Sequence, residues 1–268
     1  MGDAARLIVL GSSTIVPRPA RDTSCYLVDD GQGGVILVDL GPGALHRAAR
    51  AGYDLDRLTA VLVTHVHPDH CTDLVTLLFA LKNPIPRRGL GPLEIWGHPQ
   101  LSLLAARLRN AWPGWLAPGP RRVALREVAA PGPLDPPVPG ATRVTAHPVT
   151  HIPSSWGYRL TLPNGCVVAF SGDCALSADG AGGAQLAALG RDADLFVLEA
   201  AAPDERPVRG HLTPREAGRV AAEAGVRHLV LTHFYPPVEQ VPIEARVRES
   251  FEGRLTLAHD GEVLPLTR

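Results

Sequence analysis

The stretch Thr64-His65-Val66-His67-Pro68-Asp69-His70 decides how the rest of this 268-residue chain is interpreted. It places three imidazoles and one carboxylate within six residues, directly after the apolar run at residues 60–63. Histidine and carboxylate groups at this density suit borderline divalent cations such as zinc. A purely structural role is disfavoured, because burying so many polar groups costs free energy. The stretch therefore predicts a metal site that follows a β-strand.

The spacing within the motif divides its donors between two positions. His65 and His67 are two residues apart, so an extended backbone directs both rings to the same side. Asp69 and His70 follow Pro68, where the chain turns into a helix, and are expected to face a second position. Four ligands do not satisfy two cations, so further donors are expected downstream.

Three further donors each follow a strand-like run of residues: His151, Asp173 and His233. Loops at strand ends are where a rigid sheet positions site residues. A carboxylate such as that of Asp173 has two oxygens and can bridge two cations. Structural alternatives remain open, since Asp173 also fits a turn after Gly172 and single histidines after strands are common.

The rest of the chain alternates strand-like runs with helix signals in both halves. Strands are predicted at residues 6–10, 25–28, 35–39, 60–64, 93–96, 143–146, 158–162, 166–171, 195–198, 228–232, 254–258 and 263–266, the last two as a closing pair. Helices are predicted at residues 44–51, 74–81, 99–110, 243–250 and from Thr213, which forms a capping box with Glu216. The alternation predicts an α/β fold with two sheets between helical layers. No linker is visible, so residues 1–268 are expected to form a single domain.

Composition limits the partners of the protein. The formal net charge is −1 and 45% of the residues are hydrophobic, so the chain can bury a full core and has no overall attraction to nucleic acid or membrane. No signal peptide and no run of 18 apolar residues is visible. The four cysteines are scattered, as expected of reduced thiols. A cytoplasmic protein without a membrane partner is predicted.

The motifs together resemble the metallo-β-lactamase superfamily, which shares a His-x-His-x-Asp-His motif and a four-layer αββα sandwich. Within it, the chain is most similar to the ribonuclease Z-like branch of phosphodiesterases. The supporting stretches lie in family order at residues 11–13, 65–70, 171–173, 210–213, 216–218 and 231–234. The segment Gly210-His211-Leu212-Thr213 is the one that indicates this branch.

The resemblance implies seven ligands for two divalent cations, which are expected to be zinc, with manganese or iron as alternatives. One cation would bind His65, His67 and His151. The other would bind Asp69, His70 and His233, and Asp173 would bridge the two.

The resemblance also implies catalytic roles for two residues. His211 matches a histidine of the family that does not bind metal and acts on the scissile phosphate, as an acid or as a stabilising cation. Asp69 would orient the attacking hydroxide or accept its proton. Together these roles imply a dinuclear zinc phosphodiesterase in which a metal-bound hydroxide attacks the phosphodiester and His211 assists. Glu199, at the end of an apolar strand, is either a partner of a ligand histidine or a buried structural carboxylate.

The interval between His151 and Asp173 separates this chain from the ribonuclease Z enzymes that grip transfer RNA with an inserted arm. The two positions are only 22 apart in the sequence, and the residues between them are predicted to form a simple hairpin. This favours a small phosphodiester substrate; nucleic acid remains an alternative, including a role as a tRNA 3′-processing endoribonuclease.

Other functions use the same residues. A lactonase or sulfatase-type ester hydrolase would have the same metal core, and a silent metal-binding protein would keep the ligands without turnover. The resemblance also allows a homodimer. The loop at residues 111–120 carries Trp112 and Trp115 and is either a lid over a cleft or a plain surface loop.

Overall fold

The computed structural model describes residues 4–82, 92–119, 122–141 and 143–268. The strands are β1 (Arg6–Gly11), β2 (Cys25–Asp29), β3 (Val35–Val38), β4 (Ala60–Leu62), β5 (Leu93–Gly97), β6 (Val123–Glu127), β7 (Gly132–Pro133), β8 (Arg143–Pro148), β9 (Trp156–Thr161), β10 (Val167–Phe170), β11 (Leu195–Glu199), β12 (His228–Thr232), β13 (Arg254–Leu257) and β14 (Val263–Pro265). The helices are α1 (Ala44–Arg50), α2 (Pro68–Cys71), α3 (Asp73–Lys82), α4 (Pro99–Ala111), α5 (Ala181–Gly190), α6 (Pro214–Glu223) and α7 (Ile243–Val247), and residues Val238–Gln240 form a 3-10 turn.

The strands form two seven-stranded mixed sheets. The first has the order β14-β1-β2-β3-β4-β5-β6, and the second has the order β13-β12-β11-β10-β9-β8-β7. In the first sheet, β3 to β6 run parallel to one another. In the second sheet, β10 to β13 do the same. Each sheet therefore has a group of strands whose carboxyl ends lie at one edge.

Three apolar cores hold the layers together. One lies between the sheets and includes Ile36 and Leu62 of the first sheet with Tyr158 and Val230 of the second. A second core packs α1, α3 and α4 on the outer face of the first sheet. A third packs α5, α6 and α7 on the outer face of the second sheet. The predicted α/β fold, a four-layer αββα sandwich, is confirmed.

Most of the predicted strands and helices are present, because their sequence patterns match their surroundings in the fold. Every residue of β3 is buried, because this strand is covered by helices on one face and by the other sheet on the opposite face. The capping box at the start of α6 is formed, with the Thr213 side chain accepting from the Glu216 N–H and the Glu216 carboxylate accepting from the Thr213 N–H. The hairpin between His151 and Asp173 is confirmed as β9 and β10, which pair antiparallel.

The predicted closing pair was wrong. Strand β13 extends the second sheet beside β12, whereas β14 crosses to the first sheet and pairs with β1. The short interval between the two strands suggests a hairpin, but each strand lies at the edge of a different sheet and pairs with its neighbour there. Three strands or helices were missed: β6, a partly exposed edge strand, the two-residue strand β7, and α5, whose Gly-rich sequence has low helix propensity. No helix of the described residues has both the length and the apolar character that crossing a membrane requires.

Candidate metal centre

The carboxyl ends of strands from both sheets bring the predicted donors together. One group, whose ligand atoms lie within 4.8 Å of one another, contains His65, His67, His151 and Asp173. A second group contains Asp69, His70 and His233. All seven residues expected to bind metal are thus gathered in one place. A third overlapping group joins Asp173 and His233 to His211.

Asp173 lies at the centre of these groups. Its Oδ2 atom is 3.7 Å from Nε2 of His65, 3.7 Å from Nε2 of His151 and 3.3 Å from Nε2 of His233. Its Oδ1 atom is 3.2 Å from Nε2 of His70. The two oxygens of one carboxylate therefore face histidines of both groups, as a shared ligand requires.

Buried polar groups hold two of the rings from behind. Nδ1 of His70 is 2.7 Å from Oδ2 of Asp39, which follows β3. The hydroxyl of Thr64 is 3.0 Å from the same oxygen and 3.1 Å from Nδ1 of His65. A carboxylate can only accept, so the Thr64 hydroxyl donates to Asp39 and accepts from His65. Both rings then carry the proton on Nδ1 and direct Nε2 towards Asp173.

The other two rings that face Asp173 have partners of a different kind. Nδ1 of His151 is 2.8 Å from the carbonyl oxygen of Gly210. Nδ1 of His233 is 3.2 Å from the hydroxyl of Ser24. His67 differs from the other rings, because it turns Nδ1 towards the site, 3.2 Å from Nε2 of His151. These contacts fix which nitrogen of each ring is available to a ligand.

Buried polar atoms that lack hydrogen-bond partners indicate whether a metal fits the donor groups. Nε2 of His65, Nε2 of His70 and Oδ1 of Asp173 are buried, and no described residue forms a well-aligned hydrogen bond with them, although the last two atoms are 3.2 Å apart. Leaving such groups unpaired costs about 1–3 kcal/mol each. Imidazole nitrogens and a carboxylate are the donors that zinc and neighbouring divalent cations bind. The residues present therefore fit a metal centre.

The protonation of the ligand rings differs from one ring to the next. Burial, together with the charge of His70, lowers the pKa of His65 well below its usual value, so that its ring is neutral and able to bind metal. Burial also lowers the pKa of His233 to about 4. Burial acts in the same direction on His70, but the charges of Asp173 and Asp39 outweigh it and raise the pKa of His70 well above its usual value. A bound cation would displace that proton.

His211 belongs to a separate buried pair. Its Nδ1 atom is 2.9 Å from Oε1 of Glu199, at the end of β11. Burial opposes the charged ring, but the hydrogen bond and charge of Glu199 raise the pKa of His211 to about 9. The Glu199 carboxylate also accepts hydrogen bonds from the backbone N–H groups of Cys174, Ala201 and Leu212. Glu199 therefore supports the histidine that was not expected to bind metal, rather than one of the ligands.

Sequence reasoning missed Asp39, Thr64 and Ser24 as partners of the ligand rings. Asp39 had a usable signal, because it follows an apolar strand in the same way as His151, Asp173 and His233. Ser24 had none, since a serine beside a strand is common.

The two tryptophans lie away from the metal centre. Trp112 and Trp115 are exposed and line, with Val75, Thr76 and Phe79, a cavity of about 480 Å³ that includes none of the proposed metal ligands. Residue 120, at the end of the predicted loop, lies outside the described residues. Among the described residues the loop is a surface feature beside α3.

Comparison with known proteins agrees with the geometry. The family model of the beta-lactamase superfamily domain matches residues 35–234, which include all seven proposed ligands. A protein of Streptomyces coelicolor named ribonuclease Z is 34% identical over 311 aligned positions, covering 98% of each chain. An uncharacterised protein of Mycobacterium leprae is 32% identical over 269 positions, covering 97% of this chain and 88% of the other.

The lengths of these alignments differ in an informative way. The alignment with ribonuclease Z exceeds the 268 residues of this chain by 43 positions, so the ribonuclease has at least that many residues without a counterpart here. The alignment with the Mycobacterium leprae protein exceeds the length of this chain by a single position.

Solved structures share the fold along the whole chain. The metallo-β-lactamase fold protein YhfI of Bacillus subtilis has a TM-score of 0.79 at 24% identity, covering 98% of this chain and 99% of the other. Short-form human tRNase Z has a TM-score of 0.76 at 23% identity, covering 98% and 100%. The family match, the ribonuclease Z relative and the gathered His/Asp groups lead to one conclusion: the chain belongs to the metallo-β-lactamase superfamily, within its ribonuclease Z-like branch.

Proposed function

We propose that this protein is a dinuclear, zinc-dependent phosphodiesterase that acts on small phosphodiesters. The observation that carries the proposal is the arrangement around Asp173, whose two oxygens face histidines of both donor groups. In this proposal the first cation is held by His65, His67 and His151. The second is held by Asp69, His70 and His233, and Asp173 is shared.

The cations supply the activation. When bound, two such cations would polarise the phosphoryl group and lower the pKa of a water, so that a nucleophile would be available near neutral pH. Manganese or iron fits the same donor set, so the choice of zinc rests on the imidazole-rich ligands.

Two side chains of the protein act on protons and charge. His211, held as an imidazolium by Glu199, stabilises the negative charge that develops on the phosphoryl oxygens and gives a proton to the leaving oxygen. Asp69 is less buried than Asp173 and accepts the proton of the attacking water.

The size of the substrate follows from the interval between His151 and Asp173. Strands β9 and β10 fill it as a short hairpin, which leaves no inserted arm. The deficit of at least 43 residues against the ribonuclease Z relative supports the same interpretation. A cyclic nucleotide or the end of a short nucleic acid is therefore preferred to a whole transfer RNA.

Three further proposals concern the domain organisation, the cellular location and the oligomeric state of the protein. Residues 1–268 are proposed to form one hydrolase domain, because β14 near the C-terminus returns to pair with β1. The four cysteines are buried and unpaired, which supports a cytoplasmic location. A homodimer is compatible with the proposal but is not required by it.

A substrate panel tests the function. The purified protein, loaded with zinc or manganese, is assayed on bis(p-nitrophenyl) phosphate beside a lactone and an aryl sulfate. We expect turnover of the phosphodiester, and a loss of about 100-fold or more in kcat for His211→Ala. Preferred hydrolysis of the lactone or the sulfate would replace the proposal with another ester hydrolase. Two bound cations without turnover of any compound would indicate a silent metal-binding protein.

A second candidate is tRNA 3′ processing, because a relative at 34% identity is named ribonuclease Z. A precursor tRNA with a 3′ trailer, compared with a cyclic nucleotide at equal enzyme concentration, separates the two. Higher kcat/KM on the precursor would favour the ribonuclease.

A further inference from the structure

The ring of His233 is backed by a serine from the opposite end of the chain. Ser24 immediately precedes β2 and is buried, with 3% of its surface exposed. Its Oγ atom lies 3.2 Å from Nδ1 of His233. His233 is equally buried, so water does not replace this contact.

The direction of the hydrogen bond follows from a third residue. Oγ of Ser24 is also 3.0 Å from the carbonyl oxygen of Ser13. A carbonyl oxygen only accepts, so the single hydroxyl proton of Ser24 is donated to Ser13. Ser24 must then accept from the Nδ1–H of His233. This leaves Nε2 of His233 unprotonated, 3.3 Å from Oδ2 of Asp173.

The backbone around His233 has an uncommon conformation, and the loop that follows β1 holds it. His233 has a φ of 60°, in the left-handed region that non-glycine residues rarely adopt. The loop after β1 grips the next residue on both sides, because the Phe234 N–H donates to Ser12 and the Ser13 hydroxyl donates to the Phe234 carbonyl. The loop that orients Ser24 thus also holds the chain around His233.

The ring paired with His233 in the second donor group is supported differently. Nδ1 of His70 is hydrogen-bonded to a carboxylate, that of Asp39, at 2.7 Å. Among the described residues, the partner of Nδ1 of His233 is a neutral hydroxyl. Loss of the hydroxyl therefore leaves the Asp173 carboxylate, 3.3 Å from Nε2, as the contact that acts on the tautomer, and a carboxylate favours the Nε2–H form.

We propose that Ser24 is a positioning residue for His233, which it holds in the Nδ1–H tautomer with Nε2 directed at the cation bound by Asp69, His70 and His233. The inference rests on the proposed function as far as the cation is concerned. The tautomer itself does not depend on a cation.

The first measurement is therefore made on the metal-free protein. The ¹⁵N shifts of the His233 ring at pH 8 report which nitrogen carries the proton. We expect the Nδ1–H form in the natural protein and in Ser24→Thr, which keeps the hydroxyl, and a mixed or Nε2–H form in Ser24→Ala. The Nδ1–H form persisting in Ser24→Ala would overturn the proposal.

The second measurement is cation affinity, determined by competition with a chromophoric chelator. Ser24→Ala is expected to weaken one of the two cation sites by about 10- to 100-fold and to leave the other unchanged, whereas Ser24→Thr stays close to the natural protein. Ser12→Ala is the matched control, because Ser12 is buried in the same loop but bonds to Asp260 and Arg21.

Each outcome has a distinct meaning. An equal loss in Ser12→Ala and Ser24→Ala, or equal weakening of both sites in Ser24→Ala, would show a general loop effect and overturn the proposal. If Ser24→Ala does not fold, Ser24→Cys, which is close in size and a weaker acceptor, is measured in its place. If the natural protein binds no cation, the proposed function fails, while the ring shifts still decide the role of Ser24.

Discussion

Nδ1 of His211 donates a 2.9 Å hydrogen bond to Oε1 of Glu199, and only 1% of the Glu199 side chain is exposed. Burial raises the pKa of Glu199 to about 7, and above that pH its charge acts on the adjacent ring with little screening by water. The pair sets the charge of the one histidine in the centre that is proposed not to bind metal.

Replacing Glu199 with glutamine should change the pH dependence of catalysis. Burial favours the neutral ring, yet Glu199 raises the pKa of His211 to about 9, so the active imidazolium is lost as pH rises through that value. In Glu199→Gln the pKa of His211 falls, and the alkaline limb of the kcat profile moves to lower pH. We expect a fall in kcat of roughly 10- to 100-fold at pH 8. Rates from pH 6 to 10 test this.

Glu223→Gln, in which an exposed carboxylate of α6 is neutralised, is the control for this profile. An alkaline limb at the same pH in Glu199→Gln and in the natural protein would contradict the assigned role of His211.

Removing the metal should destabilise the protein as well as inactivate it. At a free cation concentration 1,000-fold above Kd, binding adds about 4 kcal/mol to the free energy of unfolding, because the unfolded chain lacks the assembled site. Dialysis against a chelator should therefore lower Tm by several degrees, and added zinc or manganese should restore both Tm and activity. Asp173→Asn should lose the response, since one carboxylate faces both donor groups. A Tm that is insensitive to chelator would argue against a structural contribution of the metal.

Sequence reasoning worked where one residue type has few physical explanations. The His65–His70 motif needs a cation to justify its density of polar groups, and the ends of the strand-like runs indicate where the other donors belong. It failed where a contact joins distant segments. Ser24 and His233 are 209 residues apart, and nothing local to Ser24 indicates the imidazole that it contacts. The crossing of β14 to the first sheet is likewise decided by tertiary packing.

A glycine behind the centre should be intolerant of a side chain. Gly172 has a φ of 59°, and an added Cβ would lie 2.7 Å from Cβ of Thr64, whose hydroxyl supports His65. Gly172→Ala combines backbone strain with overpacking, at a total cost of roughly 2–4 kcal/mol in the free energy of unfolding. It should also weaken cation binding, because Thr64 must shift. Urea denaturation and chelator competition measure the two effects.

Gly52→Ala separates backbone strain from packing. Gly52 also has a positive φ, 87°, but an added Cβ there would meet no atom within 4 Å. The cost should be about 1 kcal/mol with unchanged cation affinity. Equal costs at the two glycines would show that the contact with Thr64 is unimportant.

His228 should make the metal-free protein less stable in acid. The side chain is buried and 2.9 Å from the hydroxyl of Thr256, and burial together with the nearby charge of Arg254 lowers its pKa to about 4. The unfolded chain has a histidine pKa near 6.5, so it binds the proton more readily than the folded protein does. The contribution of His228 to the free energy of unfolding is therefore fully present above about pH 6.5 and falls by about 2 kcal/mol as the pH falls towards 4.

In His228→Gln, which keeps a donor for Thr256 but does not titrate, this part of the pH dependence should disappear. Urea unfolding with chelator present, from pH 7.5 to 4.5, measures it, with the exposed His259→Gln as the matched control. Identical slopes in His228→Gln and the control would assign the acid sensitivity to other groups.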